Sequence, residues 1–192
     1  RPGAHLGDVL SVLRTPPDET YQQVTFPEGF TVAQIADRLD DRLVQMDAAT
    51  FLALTDDAER SVPLRPDGVT SLEGLLFPDT YRVSNADNEG QVIERMLELM
   101  ERVVAQEDVL AASERLGLSP YEILTVASMI EREAKVDADR AVIARVIYNR
   151  LARGMRLEID ATLYYGAPAG TPFDVLRDTD SPYNTYLYSG LP

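Results

Sequence analysis

The sequence has no cysteine and a single histidine, His5. Disulfides, cysteine-bound zinc and thiol chemistry are therefore excluded. Ser-His triads and histidine-rich metal sites go with them. Acid–base chemistry has to come from Asp, Glu, Tyr, Lys or Arg. Lysine is nearly absent too, since Lys135 is the one Lys among 18 basic side chains. Against these stand 32 Asp and Glu, for a net charge of −14 at pH 7. Such a surface repels nucleic acid and anionic lipid head groups, so no nucleic-acid partner is expected. No apolar run approaches the ~18–20 residues that span a bilayer, and no signal-peptide pattern opens the chain. Both ends, Arg1-Pro2-Gly3 and Ser189-Gly190-Leu191-Pro192, read as cuts in a longer protein.

What is present is a globular composition: 192 residues, 45% apolar and 26% charged, enough for one large domain or two small ones. Residues 1–20 are polar, with at most a short element near Val9–Leu13. Gln22–Phe26 reads as a strand, and Pro27-Glu28-Gly29 as a turn. Thr31 and Gln34 make a capping box ahead of a helical face of Val32, Ile35 and Leu39. Asp47 caps a second helix carrying Phe51, Leu52 and Leu54. This is a small α+β module. Residues 56–75, with Pro63, Pro66 and Gly68, have linker composition. Leu72–Val83 then reads as a strand interrupted by Pro78, which places it at an edge or bends it.

From residue 89 the period is helical, with Val92, Ile93, Met96, Leu99, Met100 and Val103 on one stripe. A shorter helix spans Val109–Leu116 and stops at Gly117. Ser119-Pro120-Tyr121-Glu122 starts a helix that reaches about Ala134. Asp137 opens the next, with Val142, Ile143, Val146, Ile147 and Leu151 on its face and Gly154 after its end. Arg156–Ile159 reads as a strand, and the last 25 residues as a Gly-, Pro- and Tyr-rich loop. The fold class is α+β, mainly helical with short strands.

Chemistry concentrates in Ala127-Ser128-Met129-Ile130-Glu131-Arg132-Glu133-Ala134. If Ile123, Ala127, Ile130 and Ala134 define the buried face, Glu131 and Glu133 fall on its two flanks, roughly 70–90° from its centre. A carboxyl at the edge of a core is partly desolvated, which favours the protonated form that a general acid needs. The helix C-terminus acts in the same direction. The same residues also read as a solvated helix end, and periodicity does not choose between the two glutamates. Asp160 follows the apolar Leu157 and Ile159, which would hold its carboxylate near a core; it also reads as a turn residue bonding its own backbone. Tyr183, Asn184 and Tyr186 on an irregular loop suit a sugar, with aromatic faces for C–H groups and an amide for hydroxyls, or else an ordinary turn of packed tyrosines. Asn149-Arg150 closes its helix, where the Arg can bind a carboxylate or cap.

Four ordered segments resemble the MltG-type (YceG-like) endolytic murein transglycosylases. They are Leu72–Tyr81 (LEGLLFPDTY), Ala127–Glu133 (ASMIERE), the set Val146–Leu151 (VIYNRL), Gly154–Leu157 and Asp160-Ala161-Thr162, and finally Tyr183-Asn184-Thr185-Tyr186 with Gly190-Leu191-Pro192. The resemblance implies an N-terminal remnant at 1–20, a LysM-like subdomain at 21–70 and a catalytic domain at 71–192. It also implies a C-terminal lobe beyond this chain. It selects Glu133 as the catalytic acid, with Glu131, Asp160 and Asn149 in support and Tyr183, Asn184, Thr185 and Tyr186 on the glycan. The implied reaction cleaves the MurNAc–GlcNAc β-1,4 bond of nascent strands and leaves a 1,6-anhydroMurNAc end. It needs no metal and no organic cofactor. The implied partners are peptidoglycan glycan strands, peptidoglycan synthases and division proteins. The implied location is the cell membrane, single-pass through a helix N-terminal to this chain, with the catalytic part outside the cytoplasm. Two other readings stay open: a two-carboxylate wall hydrolase using Glu133 and Asp160, and a non-catalytic peptidoglycan-binding scaffold.

Overall fold

The structure, a computed structural model, describes residues 5–7, 10, 21–58, 60 and 62–192. The element expected near Val9–Leu13 falls outside these apart from Leu10. The described residues form an α+β fold with two strands and eight helices. The chain divides into two compact units, Arg1–Val103 and Val104–Pro192.

In the first unit, β1 (Tyr21–Thr25) pairs antiparallel with β2 (Thr80–Ser84), Tyr21 opposite Ser84 and Thr25 opposite Thr80. Between them lie α1 (Val32–Arg42) and α2 (Ala48–Thr55). α1 starts where expected. The Thr31 hydroxyl accepts from the Gln34 amide at 3.3 Å, and the Gln34 side chain accepts from the Thr31 amide at 2.9 Å, which satisfies two donors the helix cannot. Asp47 caps α2 by accepting from Thr50 N–H at 2.7 Å. The stripe Val32, Ile35, Ala36 and Leu39 packs into a core with Phe26, Leu43, Phe51, Leu72, Leu75 and Val83. α3 (Glu89–Gln106) adds Val92, Ile93, Met96 and Met100.

Residues 56–79 form a loop inside this unit. Leu72 N–H donates to Thr55 O at 2.9 Å, and Asp56 bridges Ser71. Glu73 accepts from the first amide of α1, Val32 N–H, at 3.0 Å. The strand expected from Leu72 is shorter than its sequence suggested. Leu72–Phe77 turns, and pairing begins at Thr80, two residues after Pro78, which has no ladder donor to offer.

The second unit begins with α4 (Val109–Leu116) after Asp108, and Gly117 ends it in the left-handed conformation at φ 65°. α5 (Pro120–Glu133) carries the Ser119–Glu122 capping box with Pro120 in its first turn. α6 (Asp137–Ala152), α7 (Asp160–Tyr164) and α8 (Phe173–Asp178) follow. The core here is Val126, Met129, Ile147, Leu157 and Ile159, with Ile130, Ile143, Tyr148, Leu151, Ala161 and Leu191 against it.

Three features differ from the sequence expectation. On α6 the packing stripe is Ile143, Ile147, Tyr148 and Leu151, while Val142 and Val146 are exposed. Arg156–Ile159 is not a strand: only Arg156 pairs, in a single bridge to Ser189, because Glu158 sits at φ 51° and breaks the extended run. The terminal segment is not all loop, since α8 lies within it.

Candidate active site in the second unit

The site is built around the end of α5. Its buried side chains are Val126 and Met129, while Ala127 and Ser128 are exposed. The stripe is thus centred one residue away from the expected Ile123–Ala127–Ile130–Ala134 line. That shift separates the two glutamates. Glu133 lies seven residues after Val126, about 20° from its direction at roughly 100° per residue, and Glu131 about 140° from it. Accordingly Glu133 is half-buried, and Glu131 and Arg132 are exposed. A carboxylate occupies the core stripe of this helix at its last turn.

Glu133 Oε1 accepts from Ala161 N–H at 3.4 Å. Ala161 is the second residue of α7, so its amide is one that the helix leaves without an internal acceptor. The residue before it, Asp160, is exposed and not held in the core as its apolar neighbours suggested. It is fixed differently: Asp160 Oδ1 accepts from the Tyr186 hydroxyl at 2.5 Å. This bond, with desolvation and the charges of Asp160, Glu158 and Glu133, pushes the Tyr186 phenol up to about 12. Tyr186 therefore stays protonated, and a donor, at any physiological pH. Its ring meets Phe173 edge-on, with centroids 5.8 Å apart.

The Tyr183–Tyr186 loop divides by role. Tyr183 is exposed and packs edge-on against Tyr165 at 4.6 Å. Asn184 is buried and bonded to backbone on all sides. Its Nδ2 reaches the carbonyls of Leu176, Arg177 and Thr179 at 3.3, 2.8 and 2.8 Å, and its Oδ1 accepts from Tyr186 and Leu187 N–H. Thr185 is buried as well, against Ile159 and Thr162. These two side chains hold the loop, whereas the sequence expectation had them on the glycan. Tyr188 bonds Asp180 at 2.8 Å, which raises its phenol above the usual range.

Arg150, at the end of α6, donates to the carbonyls of Leu157 and Arg156 and to Glu158 Oε2 at 3.2 Å. It both binds a carboxylate and clasps the 156–158 turn. Asn149 is exposed on α6 beside it. Sequence reasoning missed Thr162, Tyr165 and Phe173 as members of this neighbourhood. Thr162 alone had a signal, as the last residue of the Asp160-Ala161-Thr162 motif. Among the described residues no group of three or more His, Asp or Glu is arranged to hold a metal, and no helix is long and apolar enough to cross a membrane.

The model of the YceG-like family matches residues 1–192. The chain belongs to the YceG-like family. Two relatives are named endolytic murein transglycosylase. The Streptococcus pneumoniae protein is 32% identical over 92% of this chain and 36% of its own length. The Bacillus subtilis protein is 35% identical over 88% of this chain and 51% of its own. The chain thus spans about a third to a half of the relatives it matches. A crystal structure of a YceG-like protein from Listeria monocytogenes superposes with a TM-score of 0.76 at 33% identity, covering 88% of this chain and 60% of that one. Within the YceG-like frame, the Glu-x-Glu segment, the Asp-Ala-Thr segment and the Tyr-Asn-Thr-Tyr segment meet at one place, the end of α5.

Proposed function

We propose that the protein is an endolytic lytic transglycosylase that cuts the MurNAc–GlcNAc β-1,4 bond of peptidoglycan and leaves a 1,6-anhydroMurNAc end. The observation that carries this reading is Glu133. It is a half-buried carboxyl on the core stripe of α5, held by the Ala161 amide and flanked by a tyrosine locked onto Asp160. The relatives named endolytic murein transglycosylase support the substrate and the reaction class.

Protonated Glu133 gives its hydrogen to the bridging oxygen as the C1–O bond breaks, and the GlcNAc unit leaves with a free 4-hydroxyl. Positive charge develops at C1 of the muramoyl ring. The Glu133 carboxylate then takes the proton of the muramoyl C6 hydroxyl, whose oxygen bonds C1 and closes the anhydro ring. One carboxyl acts as acid and then as base, so the balance needs no water and no second carboxylate as nucleophile. The relatives named endolytic murein transglycosylase favour this over a two-carboxylate hydrolase. Tyr183 offers its ring to a pyranose, and Tyr186, Asp160, Glu131 and Asn149 shape the surroundings of the acid.

The same reading makes residues 21–70, within the first unit, the LysM-like subdomain. The strand–helix–helix–strand order of the first unit closes at Ser84, beyond the boundary at 70 that the resemblance implies. It puts the catalytic part outside the cytoplasm, anchored by a membrane helix N-terminal to this chain. Peptidoglycan synthases and division proteins are its proposed partners. The test is Glu133→Gln in the full-length protein, with wall glycan as substrate and mass spectrometry of the products. We expect anhydro-ended fragments to fall by about a hundredfold or more with folding unchanged. Full activity removes Glu133 from the mechanism, and reducing muramic ends identify a hydrolase. Glycan binding without cleavage by the unaltered protein identifies a scaffold.

A further inference from the structure

Thr185 was expected to touch the glycan, yet its side chain is 2% exposed. Its partners form a closed circuit. The Ile159 amide donates to Thr185 Oγ1 at 3.0 Å. Thr185 Oγ1 and Thr162 Oγ1 are 3.0 Å apart, and the Thr162 hydroxyl reaches Ile159 O at 2.8 Å. Every hydrogen is used when Ile159 N–H donates to Thr185, Thr185 O–H to Thr162 and Thr162 O–H to Ile159 O; the Thr185 hydroxyl also lies 3.4 Å from Ile159 O, so the circuit can run either way round. The ring starts and ends on the peptide groups of one residue. The Thr185 carbonyl adds a fourth tie by accepting from Glu158 N–H at 3.1 Å.

Residues 158 and 159 are therefore pinned from the terminal loop, and the next two residues carry the site. Asp160 receives the hydroxyl of Tyr186, the neighbour of Thr185, and the Ala161 amide holds Glu133. Two consecutive residues of the terminal loop, Thr185 and Tyr186, thus fix the three residues ahead of Ala161. We propose that Thr185 is a positioning residue for Glu133, acting with Thr162 through the Ile159 backbone and the Ala161 amide. This rests on the reading of Glu133 as the catalytic acid. The burial of both hydroxyls gives the circuit a second property: removing the Thr185 oxygen leaves the Ile159 amide without its acceptor, while Ile159 O keeps the Thr162 N–H at 3.3 Å.

The experiment compares Thr185→Val, Thr185→Ser and Thr162→Val in the full-length protein. Uncross-linked glycan strands are the substrate, assayed well below each variant's unfolding midpoint. Thr185→Val keeps the shape and deletes the hydroxyl. We expect kcat for anhydro-ended product to fall about tenfold or more, with KM within about twofold of wild type. Thr185→Ser restores the oxygen and with it kcat to within about threefold. Thr162→Val, whose residue lies on α7 and not on the terminal loop, lowers kcat in the same sense. A rise in KM with kcat preserved makes Thr185 a glycan contact and overturns the proposal, as does wild-type kcat in folded Thr185→Val. If Thr185→Val does not fold, folded Thr162→Val with unchanged kcat overturns it equally. Full activity in Glu133→Gln would sink the functional reading itself. Loss there, with Thr185→Val and Thr162→Val unaffected, sinks the positioning role alone.

Discussion

The two units are held together by different means. Among the described residues the first unit buries nineteen apolar side chains and the second eight. Several of the nineteen, such as Leu39, Phe51, Leu72, Leu75 and Val83, are wholly enclosed. The first unit buries two polar side chains beside them, Thr55 and Glu89, while the second sets three, Thr162, Asn184 and Thr185, against a far smaller apolar core, each bonded to backbone or to another hydroxyl. Apolar burial is non-directional and tolerates repacking. Hydrogen bonds in a dry interior fix one geometry and are costly to break. The unit that bears the candidate acid is the one that relies more on direction, which suits a carboxyl that has to be positioned for chemistry.

That contrast can be broken in order of severity. Phe51→Ala in the first unit empties a fully enclosed site and should cost about 3–5 kcal/mol in urea unfolding. Asn184→Ala in the second unit strands several carbonyls and amides at once and should cost about 2–3 kcal/mol. Below their midpoints the two variants should differ in kind. Phe51→Ala retains the kcat of the folded fraction, while Asn184→Ala loses it as Tyr186 drifts from Asp160. Equal retention in both would erase the distinction drawn between the units.

A smaller pair sharpens the comparison from the other side. Thr31 and Ser119 cap one helix in each unit with the same box. Thr31→Ala and Ser119→Ala should each cost about 1 kcal/mol, because the difference between the units lies in their interiors and not in their helix ends. A Ser119→Ala loss several times larger would place it there after all. The smallest effect is read in pH. The Tyr186 phenol is raised to about 12 in the fold, against about 10 in an unfolded chain. A raised value favours the protonated form, so the bond to Asp160 contributes fully below pH ~10 and is lost as pH climbs towards 12. Wild type should lose more stability over that window than Tyr186→Phe, and parallel curves would refute the bond.

The parts of this molecule legible in the sequence are those with local causes. Both capping boxes, the Asp47 cap and the Gly117 stop depend on residues within one turn. The stripe on α5 differs from its sequence pattern because alanine counts as apolar there while being small enough to face water without penalty, as Ala127 does. The larger Val126 and Met129 take the core instead. The strand expected at Arg156–Ile159 failed because Glu158 adopts a left-handed φ that nothing about a glutamate announces. Asn184 and Thr185 were legible as a motif and not as clamps. The partners of Thr185 stand 23 and 26 residues away, and only the folded chain brings them into reach.

Glu158 carries a consequence for how this region fails. A non-glycine residue at φ 51° sits roughly 1 kcal/mol or more above its relaxed backbone. Arg150 holds it there through Leu157 O and Glu158 Oε2, and Thr185 O holds it from the other side. The bend is thus held from both sides, by Arg150 of α6 and by the terminal loop, immediately ahead of Asp160 and Ala161. Glycine at 158 would relax the left-handed φ while removing the carboxylate that Arg150 binds.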